Sequence, residues 1–390
     1  MTRIAAVFTC ILICSLADTG CSSPDNSPSG QSSSEVSASE SDSSSADQST
    51  EEQELYQLAL RAARSCAGIT EDPSFSSATG DATDANGKDD SETVRELLGA
   101  LEADGFCASD TDNLYNMVNY NQMDTFCRAS EEGKKADADL ILLMDTDGFV
   151  CYHFHTADKI INVRRCTLYW SDGTPGYYEA FQAERWTYTE KGYFFFDQHR
   201  MPGYDGPPGE IVIRVRPIEE TCLQYNRKYV LPVGYSRNNM LISDWSETDG
   251  FGDLNFYDLY DIFYPMKYKE PVPYVHEFTG AEYEIPSSEF ETVLSDYLNV
   301  SADTIRARTV YHPDTDTYLY HPRGLGDAEY PYAPSPEVTA CEKRDDGTLL
   351  LTVNAVWATG FTDSAAISVL TVRPLPDGRF QYVSNQVIHL

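Results

Sequence analysis

The stretch Leu140-Ile141-Leu142-Leu143-Met144-Asp145-Thr146-Asp147-Gly148-Phe149-Val150-Cys151-Tyr152-His153-Phe154-His155-Thr156 decides how this chain is read. Two runs of branched and aromatic side chains flank Asp147-Gly148, a pair that tolerates positive φ in a tight turn, so the stretch reads as a β-hairpin. The pattern extends outward. Residues 160–169, 185–189, 193–197 and 211–216 are further strand-like runs, and Lys191-Gly192 is a second turn signal. Ahead of them, residues 91–103 place Val94, Leu97, Leu98 and Leu101 at the i, i+3, i+4, i+7 spacing of a buried helical stripe, with Ser91 as its N-cap. Residues 51–66 and 112–127 are helical in composition too.

The final third repeats this plan. Ser288-Glu289-Phe290-Glu291 fits the S-x-x-E capping box, and Phe290, Val293, Leu294 and Tyr297 form the stripe of a helix over 288–298. Strands over 338–343 and 348–357 flank Asp345-Asp346-Gly347, and strands over 367–373 and 380–384 flank Pro376-Asp377-Gly378, which gives two antiparallel hairpins. Val215-Arg216-Pro217-Ile218 echoes Val372-Arg373-Pro374-Leu375 at corresponding strand ends, a pattern that suits duplication of a helix-plus-meander unit. The expected fold class is α+β: helices packed on antiparallel β-meander sheets, arranged as two cystatin-like or NTF2-like units.

The amino terminus carries an address. Residues 4–17 are apolar behind Arg3, too short to span a ~30 Å hydrocarbon layer, and read as a secretory signal. Gly20-Cys21 resembles the lipobox of bacterial lipoproteins, in which the cysteine receives a diacylglyceryl group and becomes the first mature residue. Asp18 stands where that pattern has an aliphatic residue, and cleavage after Ala17 in Ser15-Leu16-Ala17 is the rival. The serine-rich tract that begins at Cys21 favours the lipobox. Residues 22–53 hold no Lys or Arg and few large apolar side chains, so they lack the surface to offset chain entropy; a coil of that length spans on the order of 30 Å. The expected organisation is a signal peptide over 1–20, a disordered linker over 21–53, an α+β domain over 54–221, a bridging segment over 222–275 and a second α+β domain over 276–390.

A formal net charge of −34 argues against nucleic acid, and against broad contact with anionic lipid or wall polymer, because those surfaces need a cationic face. Arg164, Arg165, Arg214 and Arg216 are the residues that could form a local exception. Once the signal and Cys21 are set aside, Cys66, Cys107, Cys127, Cys151, Cys166, Cys222 and Cys341 remain, an odd number without CxxC spacing, which resembles neither a disulfide framework nor a zinc site. One or two disulfides stay open at this point.

Chemical motifs are sparse. Cys151, His153 and His155 alternate and would share one strand face, the arrangement of a His-x-His zinc pair, but spacing identifies no further ligand and no metal site is expected. Asp145-Thr146-Asp147-Gly148 fails the EF-hand frame, with Leu143 first and Phe154 twelfth. There is no G-x-S-x-G elbow, H-E-x-x-H helix or G-x-x-x-x-G-K-[ST] loop. Asp244, Glu247 and Asp253 near Trp245 offer paired carboxylates of the kind glycosidases use. In the bridging segment, Asp253-Leu254-Asn255 opens a helix in which Phe256, Leu259, Tyr260 and Phe263 share one face while Tyr257, Asp258 and Asp261 sit elsewhere; Pro265 ends or kinks it. Its aromatics are expected to pack on both domains.

The run Asn226-Arg227-Lys228-Tyr229-Val230-Leu231-Pro232-Val233-Gly234-Tyr235, with Arg237-Asn238-Asn239-Met240, Asp253-Leu254-Asn255-Phe256-Tyr257-Asp258 and the terminal Phe380-Gln381-Tyr382-Val383-Ser384-Asn385, resembles a family of uncharacterised lipoproteins from Gram-positive bacteria, over residues 139–388. The resemblance implies a surface location and a shared fold, and no catalytic or binding residues. The expectation is a membrane-anchored surface lipoprotein that binds or assists without catalysis, attached through a diacylglyceryl group on Cys21. No cofactor is expected, and the sequence identifies neither a protein nor a glycan partner. The alternative is a surface hydrolase acting on carbohydrate or peptidoglycan.

Overall fold

The computed structural model describes residues 41–72, 75, 90–198, 200, 209–275, 280–323 and 333–388, so the signal segment, Cys21 and the linker up to residue 40 lie outside the described residues. Helix α1 (Ser41–Thr70) takes in the end of the stretch expected as linker. Among the described residues no helix is long and apolar enough to cross a membrane.

The opening hairpin lies at the centre of a five-stranded sheet. Strand β1 (Ala108–Asp110) runs parallel to β2 (Ala136–Met144), and β3 (Gly148–Ala157), β4 (Ile160–Tyr169) and β5 (Pro175–Gln182) follow as an antiparallel meander. A turn joins β2 and β3, but not at the pair read for it: Asp145 takes the positive φ (51°), the Asp147 N–H bonds the Met144 carbonyl, and Gly148 is already the first residue of β3, where a Cβ would collide with the Leu168 carbonyl. Alternation sends Ile141, Leu143, Phe149, Cys151, Cys166 and Leu168 to one face, beneath α1 and α2 (Asp90–Ala103), where they meet Leu55, Leu58, Ala62, Leu97 and Leu101. Leu140, Leu142, Tyr152, Phe154, Ile161 and Val163 go to the other face, against Met123 and Phe126 of α3 (Asn121–Glu131) and a three-stranded sheet of β6 (Trp186–Tyr188), β7 (Tyr193–Asp197) and β8 (Glu210–Arg214). Burial on both faces is why residues 140–144 are continuously apolar where a one-sided strand would alternate. The ring of Phe154 lies 5.5–5.7 Å from those of Tyr152, Phe126, Phe194 and Phe196, a cluster in which truncation to Ala costs about 3–5 kcal/mol.

The carboxy-terminal half is built on a second five-stranded sheet, entirely antiparallel, in the order β13 (Ser335–Lys343), β14 (Leu349–Val356), β15 (Ile367–Pro374), β16 (Phe380–Ile388) and β9 (Trp245–Ser246). Its core takes Leu259, Tyr260 and Phe263 from α5 (Phe256–Tyr268) and Phe290, Val293 and Leu294 from α6 (Ser287–Tyr297), while α7 (Ala302–Ala307) contributes Ile305. A small sheet, β10 (Tyr283–Pro286), β12 (Thr317–Tyr320) and β11 (Tyr311–His312), closes the far side. Between the halves, α4 (Glu220–Tyr225) and a π-helical turn (Asn226–Val230) lie along β13. Strand β7 spans the join: Phe194 and Phe196 face the amino-terminal core while Tyr193 and Phe195 pack on Val356 and Phe361.

Local signals failed in a few places for identifiable reasons. No helix starts at 112, because the Asp110 carboxylate accepts the N–H groups of Leu114 (2.7 Å) and Tyr115 (3.0 Å) and holds that segment in a turn, so α3 begins only at Asn121. Helix α2 begins at Asp90, which places Ser91 inside it. The capping box at Ser288 does not form: α6 starts one residue earlier behind Pro286, and Glu291 accepts from Tyr318 and Arg306 instead. Pro265 does not end α5, which runs on to Tyr268 and stops at Lys269 with a φ of 59°; in the last turn a proline forfeits a single backbone bond.

Candidate functional site

The densest polar arrangement forms where α5 meets the small carboxy-terminal sheet. Asn255 caps α5 by accepting the Tyr257 N–H at 3.0 Å, and this fixes which residues face inward. With Leu259, Tyr260 and Phe263 buried in the core, Asp258 and Asp261, one turn apart, lie side by side along the helix. Arg323, just beyond β12, donates to Asp258 at 2.8 and 2.9 Å, and that carboxylate is one-tenth exposed. Tyr320 donates its hydroxyl to Asp261 at 2.5 Å. Burial pushes the Asp261 carboxyl up to about 6, against the opposing pull of the Tyr320 hydroxyl and the Arg323 and Arg237 charges.

Beside these acids lies a bed of tyrosines. The Tyr320 ring is 5.9 to 6.3 Å from those of Tyr257, Tyr260 and Tyr274, and Tyr274 is 5.4 Å from Tyr283. Glu289 of α6 accepts from Tyr260 (2.6 Å) and Tyr274 (3.2 Å), and burial with this carboxylate raises the Tyr274 hydroxyl to about 12. Tyr260 and Tyr320 are buried in the core, so the groups a polyhydroxylated or cationic ligand could reach are the half-buried rings of Tyr257, Tyr274 and Tyr283 beside Asp261. The cluster also provides one acid that holds its proton near pH 6 beside one paired with arginine.

The other candidates serve the fold. Glu247 is gripped by both terminal nitrogens of Arg373, which hold its carboxyl below the usual range; Asp244 accepts the Val387 N–H at 2.7 Å; Trp245 is buried and donates to the Met240 carbonyl at 2.8 Å. Asp253 is exposed, and its backbone carbonyl accepts from Asn239. Cys151 lies in the core under α1 and α2, while His153 and His155 further along the strand pair with their cross-strand neighbours Asp139 (2.7 Å) and Asp137 (2.8 Å). The four arginines form no basic face, since Arg164 pairs with Glu51, Arg165 with Glu179, Arg214 with Glu337 and Arg216 with Asp124. Among the described residues, the group able to offer three metal donors within 4.8 Å of one another is Glu219, Cys222 and Cys341. Sequence spacing missed it because Cys222 and Cys341 are brought together by the packing of α4 on β13.

The α5 cluster was half visible in the sequence. Asp258 and Arg237 belong to runs that carry the family likeness, whereas Arg323, Tyr320 and Glu289 join them only through the fold. Neither a curated protein nor a solved structure matches the chain. The model of a family of unknown function, DUF6070, matches residues 53–390, nearly all of the described molecule, and the chain belongs to that family.

Proposed function

We propose that this protein is a lipid-anchored protein of the extracytoplasmic membrane face that binds a partner there without chemical turnover. The observation that carries the binding reading is the state of the acids in the α5 cluster. Asp258 is held by Arg323, Asp261 by Tyr320 and Glu289 by two tyrosines, so all three carboxylates are engaged by neighbouring side chains and none stands free as a base or nucleophile. The address rests on the sequence: the short apolar stretch, Gly20-Cys21 and the acidic leash behind them. Two acyl chains at about 0.8 kcal/mol per buried methylene hold a protein to a bilayer far more firmly than one. Metabolic labelling with a fatty-acid analogue tests it: the parent chain takes the label and Cys21→Ala does not, whereas label persisting in the variant refutes the tether.

One observation favours a second reading, a surface hydrolase acting on carbohydrate or peptidoglycan. The Asp261 carboxyl, raised to about 6, stands one helical turn from Asp258, and glycoside hydrolysis needs one protonated and one ionised carboxyl. Turnover of cell-wall glycan that disappears in Asp261→Asn would establish this reading and displace the first.

A further inference from the structure

Edge strand β13 has an unusual neighbour. On one side it pairs with β14; along the other lies the segment that joins the two halves of the molecule, α4 with its π-helical turn. Asn226 acts there as a substitute strand: its amide donates to the Pro336 carbonyl and its Oδ1 accepts the Val338 N–H, both at 3.2 Å, beside the irregularity in β13 between Val338 and Ala340. One turn ahead of Asn226, on the same helix, Cys222 presents its sulfur to Cys341 on β13, with the two Sγ atoms 3.2 Å apart. Cys222 is buried, while Cys341 is half-buried and open to reagents.

We infer that Cys222 and Cys341 close a disulfide that straps the joining segment to the edge of the carboxy-terminal sheet. Closing the bond to about 2.05 Å needs an approach of roughly 1 Å from the present separation. The rival ligand set, zinc on Glu219, Cys222 and Cys341, needs the sulfurs to move the opposite way, since two thiolates about 2.3 Å from one tetrahedral ion lie about 3.7 Å apart. It would also leave the ion on two sulfurs and an exposed carboxylate, where structural zinc sites use four protein ligands. The remaining cysteines are sealed. Cys151 and Cys166 face each other across β3 and β4 but are wholly buried beneath α1 and α2, where Cys66 shares their core, and Cys107 and Cys127 are neighbours buried in the other amino-terminal core.

The chemistry balances with an external disulfide, small or protein-borne, as oxidant. Cys341, losing its proton to solvent, attacks one sulfur of that disulfide, breaks its S–S bond and expels one thiolate. Cys222 then attacks the mixed disulfide at Cys341, forms the internal bond and expels the second thiolate. The chain gives up two protons and two electrons; the oxidant leaves as two thiols. Burial pushes the Cys222 thiol up to about 12, which makes Cys341 the sulfur that meets the oxidant first.

The test is thiol counting on the full chain isolated from the extracytoplasmic side, exposed to excess oxidised glutathione, then denatured and alkylated without reductant. Of the seven cysteines beyond residue 21, five are expected to take the alkylating reagent. Proteolysis should yield a cross-linked pair of peptides containing Cys222 and Cys341. Either Cys222→Ala or Cys341→Ala should raise the count to six, because the partner thiol is released. In the parent chain, reductant should lower the Tm and speed hydrogen exchange along β13, and it should do neither in the two variants. Seven alkylated cysteines, a cross-link between any other pair, or one equivalent of zinc that is lost in Cys341→Ala would each overturn the inference.

Discussion

Asp261 shows how one residue's setting fixes its titration. An aspartate one turn ahead of Pro265 on a half-exposed helix face would ordinarily ionise near 3.8, but here its carboxyl is packed between α5 and Tyr320, whose hydroxyl it accepts, and burial moves it up to about 6. Between those two values the folded chain holds a proton that the unfolded chain has released. The carboxyl therefore imposes no penalty below about pH 4; stability falls as the pH rises from about 4 to about 6 and levels off above that. Asp261→Asn keeps an oxygen to accept from Tyr320 and never ionises. In urea unfolding followed from pH 4 to 7, the variant should match the parent at pH 4 and exceed it by on the order of 2 kcal/mol at pH 7. Equal pH dependence in the two chains would mean that water reaches the carboxyl freely. The test also bears on function, since a carboxyl that titrates near 3.8 could not hold a proton for acid catalysis at neutral pH.

At the scale of elements, the covering of the β13 edge separates what the sequence displayed from what it hid. The strands of both hairpin series and the stripes of α2 and α6 were legible because each is stated locally, by alternation, by Gly-bearing turns or by i, i+3, i+4 spacing. Strand β1, three residues paired in parallel with β2, has no local pattern to display. Strand β5 is hidden by Pro175, Gly176 and Glu179, residues tolerated at a sheet edge. The role of Asn226 was hidden for another reason: its run carries the family likeness but no local structural signal, and its partners Pro336 and Val338 lie more than a hundred residues away. Separation along the chain also conceals Arg323 from Asp258, 65 residues away, and Cys222 from Cys341, 119 residues away. Asn226→Ala deprives a buried N–H and a buried carbonyl of their partner, at a cost of about 1–3 kcal/mol. Hydrogen exchange localises that loss: the Val338 amide should exchange faster in the variant while amides in β15 keep pace with the parent. Unchanged exchange at Val338 would show that the π-helical turn is not what covers this edge.

Across the whole molecule, the two halves meet at an apolar seat and, among the described residues, through a buried ion pair and a more open one between Lys191 and Asp363 at 3.4 Å. Tyr193 and Phe195 rest on Val356 and Phe361; nearby, Arg214 of β8 pairs with Glu337 of β13, with side chains 1% and 6% exposed. Arg214 also donates to the Tyr115 carbonyl at 2.7 Å, and its backbone N–H is held by Asn113, so the guanidinium is fixed before its partner arrives. Burial pushes the Glu337 carboxyl up, with Asp363 adding to the shift, and pushes the Arg214 guanidinium down against the pull of Asp110; the direct contact between the two side chains gives each a polar partner in a setting where either alone would be costly. Removing one partner strands the other. Arg214→Ala and Glu337→Ala should each destabilise the chain by about 3–5 kcal/mol, whereas Arg214→Met with Glu337→Leu should lose much less than the two single losses together, because it strands no charge. The pair links strands of different halves, so the single variants should also split the unfolding transition. Phe195 fluorescence is too weak to report this, but Trp186 beside β7 and Trp245 in β9 occupy opposite halves and report each one. Tryptophan emission of Arg214→Ala, resolved by replacing Trp170 and Trp186, or Trp245 and Trp357, with phenylalanine so that one half alone emits, should give two midpoints where the parent gives one. Coincident midpoints in that variant would assign the coupling to the apolar seat around Phe195 and Val356 with the Lys191–Asp363 pair beside it.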